Sequence, residues 1–229
     1  MSERVFMAMQ PVTQSDLGLG LPPGANHRRA YVGPPEIYDM VAALQFNLLT
    51  SLGLRDYHSL IDIGAGSLRG GRLFITYLQA GQYFGVEPNE WLIKEGIAQE
   101  IGQDMVRLKQ PRFIYDENFT LTAFDRQFDF LLAQSIFSHA SPMQISRCLS
   151  EARQVMKPTS IFAATFLQAD DNYQGDSWVY PGGVTYSLPF ISSLVEDHDL
   201  TCVPVEWPHP SKQTWLLITD PSHRDKLPL

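Results

Sequence analysis

Ser59-Leu60-Ile61-Asp62-Ile63-Gly64-Ala65-Gly66-Ser67 decides how the rest of the chain is read. Residues 59–64 are a short apolar run broken by one acid, the pattern of a buried strand, and the run ends in two glycines. Glycine lets the backbone approach a ligand closely, and a helix starting there offers unpaired N–H groups in its first turn. A helix through Arg72-Leu73-Phe74-Ile75-Thr76-Tyr77-Leu78 follows, so the stretch opens a βαβ unit.

The same alternation runs on through the chain. Residues 82–87 (QYFGVE) predict a second strand, and a helix over 91–102 follows it. Residues 112–115 predict a third strand, 128–134 a fourth and 160–166 a fifth. A helix over 141–156 lies between the last two, with Ser141 as its N-cap and Lys157-Pro158 as its stop. The final pair, 200–207 and 213–219, is joined only by Pro208-His209-Pro210-Ser211-Lys212, a link too short for a parallel crossover. The expectation is an α/β fold: a Rossmann-like, seven-stranded, mostly parallel sheet with a C-terminal antiparallel hairpin and helices on both faces.

N-terminal to this block, residues 1–34 carry no sustained periodicity and end in Gly-Pro punctuation, which predicts an arm or lid ahead of a domain over 35–229. Apolar residues at Ile37, Met40, Val41, Leu44, Phe46, Leu48 and Leu49 predict a helix from Glu36 that stops at Gly53. With 229 residues and 44% hydrophobic content, the chain can bury a full core. Its net charge of −8 makes it a poor partner for phosphate backbones, so no nucleic-acid partner is expected. Two cysteines, Cys148 and Cys202, exclude a disulfide scaffold or a zinc cluster. No signal-like or spanning apolar run appears, so the expectation is a cytoplasmic protein with no membrane partner.

The glycine turn gains meaning from Glu87, which ends the second strand 21 residues after Gly66. An acid at that spacing is where nucleotide-binding βαβ units grip ribose hydroxyls. A nicotinamide-dependent oxidoreductase shares this much. Together, LIDIGAGS, VEPN, FDFLLAQSIFSH, MKPTSIFAAT and the terminal hairpin resemble the class I S-adenosylmethionine-dependent methyltransferases over roughly residues 55–220. One departure is that Ser67-Leu68 replaces the family's third glycine.

That resemblance implies roles by position. Asp62, Gly64, Gly66 and Ser67 would surround the methionine portion of S-adenosylmethionine, Glu87 would hold its ribose, and Pro88 would lie against adenine. Asp116, Asn118 and Phe119 fall where the family contacts the adenine edge, and Gln134 and Ser135 would face the sulfonium. Arg69 is placed to meet the methionine carboxylate or an acidic substrate. His139 and His209 both belong to links at the C-terminal edge of the sheet and are the two candidate bases for a hydroxyl acceptor. A catechol-type metal site needs an aspartate where Gln134 stands, so no metal is expected. The implied activity is methyl transfer to a small molecule at a hydroxyl oxygen, yielding S-adenosylhomocysteine. A cofactor-binding scaffold without catalysis is the non-enzyme alternative, and the sequence leaves the oligomeric state open.

Overall fold

The computed structural model describes residues 12–228. The first eleven residues of the expected arm lie outside the described residues. Eight strands form one sheet: β1 (Leu60–Ile63), β2 (Tyr83–Val86), β3 (Arg112–Ile114), β4 (Phe128–Ala133), β5 (Met156–Gln168), β6 (Thr185–Tyr186), β7 (Thr201–Val205) and β8 (Thr214–Thr219). Their order is β3-β2-β1-β4-β5-β8-β7, with β6 paired to the end of β5. The first five strands are parallel, while β8 runs antiparallel to both β5 and β7. The expected sheet is therefore present with one addition. Thr185–Tyr186 pairs in parallel with Leu167–Gln168 at the end of β5 as an eighth, two-residue strand, too short to leave a periodic signal.

Seven α-helices are described: α1 (Arg28–Tyr31), α2 (Tyr38–Ser51), α3 (Gly71–Tyr77), α4 (Glu90–Gly96), α5 (Gly102–Lys109), α6 (Pro142–Val155) and α7 (Leu188–Glu196). Alternation along the strands divides the core into two layers. Ile61, Ile63, Leu131, Ala133, Leu216 and Ile218 face one layer with α6 and α7, and Leu60, Phe130, Leu132, Trp215 and Leu217 face the other with α2 and α3. Both faces are apolar because both are covered.

Local departures have visible causes. The helix expected from Glu36 begins as a 3-10 turn over Pro35–Ile37, and α2 buries Tyr38, Val41, Ala42, Gln45, Leu48 and Leu49 while Met40 is exposed. The helix expected over 91–102 is split: α4 runs into a π turn at Ile97–Ile101, and Gly102 at φ +78° redirects the chain into α5. Ser141 caps α6 through a full capping box with Gln144. That helix ends at Val155, and β5 starts at Met156, so Lys157 and Pro158 lie within a strand. The described helices include none long and apolar enough to cross a membrane.

Candidate active site

The C-terminal ends of β1, β2, β3 and β4 open into a cavity of about 560 Å³. This is the edge at which open α/β sheets take ligands. Its floor is the turn after β1. Gly64 and Gly66 lie at φ +76° and +54°, and a Cβ on Gly64 would sit 2.1 Å from Ile136 Cδ1. A Cβ on Gly66 would meet Val32 Cγ1 at 2.8 Å. The third-glycine position is taken by Leu68, fully buried at φ +61°, so an L-residue holds a left-handed conformation that glycine adopts freely.

Glu87, buried at the end of β2, reaches back to this turn. Its Oε2 accepts the Gly66 N–H at 2.9 Å, and its Oε1 accepts both the backbone and side-chain N–H groups of Asn89 at 2.9 Å. Burial raises its pKa against the pull of those donors. Pro88 lines the cavity beside it, and Asp116, Asn118 and Phe119 line it from the turn after β3. The Asp116 carboxylate is occupied by that turn, because Oδ2 accepts the N–H groups of Asn118 at 3.0 Å and Thr120 at 2.8 Å. Gln134, Ser135 and His139 come from the end of β4 and the link that follows it.

Three expected residues do not line the cavity. Asp62 turns into the core, where its Oδ2 accepts the Tyr83 hydroxyl at 2.7 Å and burial pushes its carboxyl up to about 6. Ser67 is fully buried and faces Tyr38 of α2, with its Oγ 3.2 Å from the phenol oxygen. His209 reaches the right edge of the sheet but stands behind Gln134. Its ring nitrogens face Gln134 Nε2 at 2.9 Å and the Ser211 N–H at 3.2 Å, and burial pushes its pKa down to about 4.

His139 is held differently. Its Nδ1 lies 2.6 Å from the Gly182 carbonyl and 3.0 Å from that of Val179. Carbonyls accept only, so Nδ1 carries the proton and Nε2 keeps its lone pair. Burial depresses its pKa below the ordinary value, which keeps the ring neutral.

The sequence reading left out Tyr31 and Val32. Tyr31 and Val32 come from α1 and its cap, a stretch whose sequence carries no period. Tyr31 packs on Trp91 and Tyr180 at 5.2 and 5.5 Å between ring centroids, and His139 packs on Trp178 and Tyr180 at 5.6 and 5.1 Å. The Tyr180 hydroxyl is buried with no hydrogen-bond partner among the described residues. Arg69 is buried too, donating to the Val32 carbonyl at 2.7 Å and to Gln134 Oε1, with no carboxylate within 4 Å among the described residues. No group of three potential metal ligands occurs among the described residues.

The strand order, with a cavity at the β1–β4 edge, is the fold of the S-adenosylmethionine-dependent methyltransferases. One such structure, from Clostridium acetobutylicum, matches 80% of this chain and 92% of its own at TM-score 0.58 and 12% identity. A Leishmania major S-adenosylmethionine-dependent methyltransferase matches 82% of this chain and 75% of its own at TM-score 0.63 and 16% identity. The magnesium protoporphyrin IX methyltransferase of Synechocystis, with bound S-adenosylhomocysteine, matches 81% and 82% at TM-score 0.55 and 12% identity. No family model matches the sequence, and no curated protein is similar to it in sequence.

Proposed function

We propose that this chain transfers a methyl group from S-adenosylmethionine to a hydroxyl oxygen of a small molecule and releases S-adenosylhomocysteine. The observation that carries the reading is the make-up of one cavity: a glycine cradle tied to a buried acid at one side, and a buried guanidinium without a carboxylate partner among the described residues at the other. A nucleoside bearing an amino-acid tail needs these features. Glu87 accepts from the ribose hydroxyls, Asn118 and Phe119 meet the adenine, and Arg69 neutralises the methionine carboxylate. Bare Gly64 and Gly66 leave room for the tail, since a Cβ there would fill the cradle.

When bound, S-adenosylmethionine supplies an electrophilic methyl carbon whose bond to sulfur breaks with both electrons on sulfur as the acceptor oxygen bonds to carbon. The chain aligns the acceptor and takes its proton. His139 Nε2 takes the hydroxyl proton, and the Nδ1–H bonds to the 179 and 182 carbonyls stabilise the imidazolium that forms. Tyr31, Trp178 and Tyr180 make an aromatic wall for the acceptor. In this reading Tyr31 and Val32, at the end of the arm and ahead of a domain over 35–229, close the cavity. The acidic balance argues against a nucleic-acid acceptor, and two free cysteines fit a reducing cytoplasm.

An oxidoreductase shares the glycine turn and the acid, but dinucleotide folds continue the sheet with parallel strands where this chain places antiparallel β8. Calorimetry separates the readings. S-adenosylhomocysteine binding without NAD binding is expected. NAD binding alone would establish the oxidoreductase, and binding of neither would favour a scaffold.

A further inference from the structure

The hydrogen bonds beneath the cavity leave one proton without a home. Ser135, at φ +59° after β4, has a hydroxyl oxygen with two lone pairs and one hydrogen. Gln134 Nε2 and Gln213 Nε2 both donate to that oxygen at 2.7 Å. The two amide orientations are fixed independently. Arg69, which can only donate, bonds to Gln134 Oε1, so the Gln134 amide nitrogen must face Ser135. Thr165 is fully buried and its oxygen accepts the Ser135 N–H at 2.7 Å, so its own proton goes to Gln213 Oε1 at 2.6 Å. Reversing the Gln213 amide would strand that proton in the core, where an unpaired buried donor is destabilising. Both Ser135 lone pairs are therefore filled, and no described residue accepts its hydrogen. Ser135 lines the cavity, and so the hydrogen is directed at a ligand.

We propose that Ser135 and His139 form a pair of fixed, opposite polarity, a donor-only Oγ–H and an acceptor-only Nε2, which selects a hydroxyl oxygen and turns away an amine. The proposal rests on the methyltransferase reading and deepens it. A hydroxyl satisfies both partners at once: its proton goes to His139, one lone pair accepts from Ser135, and the second lone pair remains to attack the methyl carbon. A neutral amine has a single lone pair. If that pair accepts from Ser135, none is left to form the new bond. Arg69 strengthens the device, because its charge polarises Gln134, whose amide in turn polarises Ser135. The aromatic wall of Tyr31, Trp178 and Tyr180 points to a planar ring as the carrier of that hydroxyl.

The proton can be located directly. Neutron diffraction from perdeuterated crystals should place the Ser135 deuteron toward the cavity, with the amide deuterons of Gln134 and Gln213 facing Oγ. A Ser135 deuteron aimed at either glutamine overturns the proposal. In solution, phenol and aniline serve as matched probes of the complex with S-adenosylhomocysteine. Phenol should bind about tenfold more tightly, the worth of one hydrogen bond. Ser135→Ala should bring the two probes within about twofold. Gln213→Glu should do the same without touching the cavity, because a carboxylate takes the Ser135 proton for itself. Equal affinity for both probes in the unaltered protein, binding of neither, or a preference that survives both substitutions would also overturn it. Failure to bind S-adenosylhomocysteine would instead count against the methyltransferase reading, and the deuteron position would still decide the polarity.

Discussion

Glu87 Oε2 accepts the Gly66 N–H at 2.9 Å, which locks the acid ending β2 to the glycine turn leaving β1. One carboxylate thereby shapes the turn and presents its remaining lone pairs to the cavity. Glu87→Ala removes both functions. Hydrogen bonds to a charged acceptor contribute about 1.5–3 kcal/mol each, so affinity for S-adenosylhomocysteine should fall by about tenfold or more. An unchanged dissociation constant by calorimetry would remove Glu87 from the ribose site.

The two histidines separate on geometry. His139 offers Nε2 to the cavity, whereas His209 Nε2 is taken up by the Gln134 amide and the ring does not line the cavity. With a hydroxyl acceptor, His139→Ala should cut turnover by ~10²–10⁴ while S-adenosylhomocysteine affinity is retained. Because burial lowers the His139 pKa, the acid limb of the rate profile should lie below the ordinary imidazole value of about 6.5. His209→Ala should cost less turnover. The reverse ranking would move the base to the β7–β8 link.

The sheet was readable in advance because buried strands are contiguous apolar runs, and β4, β5 and β8 each carry one. Cavity residues at strand ends were readable for the same reason: once β1 and β2 are placed, the fold brings Gly64, Gly66 and Glu87 together. Asp62 and Ser67 show where this stops. They stand inside the motif, yet each turns to a tyrosine hydroxyl, Tyr83 and Tyr38, on an element whose packing no local pattern encodes. The donor polarity of Ser135 depends on Gln213 and Thr165, 78 and 30 residues away. Helix α7 did leave a signal in its Ser187 cap, Pro189, and apolar spacing of Leu188, Ile191 and Val195.

Glu100 holds the arm to the body. Its buried carboxylate accepts from Arg28 and Arg29 at 3.3 Å and from Arg72 at 3.0 Å, and Asp39 takes further bonds from Arg29 and Arg72. Glu100→Gln removes the carboxylate that all three guanidinium groups share and leaves Asp39 to Arg29 and Arg72 alone. Breaking a buried ion pair from one side costs about 3–5 kcal/mol, so the melting temperature should drop. Trypsin should also cut faster after Arg28 or Arg29. A variant that melts and digests like the unaltered protein would show that the arm is held elsewhere.

Leu68 sets strain against packing. Its left-handed backbone costs about 1–2 kcal/mol relative to glycine, while its side chain is fully buried beside Gly71 and Gly96. Deleting a buried leucine side chain costs about 2–5 kcal/mol. Leu68→Gly should therefore destabilise, but by about 1 kcal/mol less than Leu68→Ala, which keeps the strain and loses the packing. If alanine proves the more stable of the two in urea, the backbone at this position is not strained.

Asp62 and His209 act on acid stability with opposite signs. Burial pushes the Asp62 carboxyl up to about 6, so the folded chain binds its proton more tightly than the unfolded chain does. Its contribution is full below the unfolded value of 3.8 and is lost as pH rises through about 6, a change of roughly 3 kcal/mol. For His209, burial and then the Arg69 charge push the pKa down to about 4. Its contribution is full above 6.5 and is lost as pH falls through about 4. The windows overlap, and the two slopes offset each other in the unaltered protein. Asp62→Asn keeps an acceptor for Tyr83 and removes one slope, so stability should then decline steeply on acidification from 6.5 to 4. His209→Gln should show the converse, losing stability as pH rises from 4 to 6. Urea midpoints at pH 4, 5, 6 and 7 measure both, and parallel profiles for the two variants would exclude this opposition.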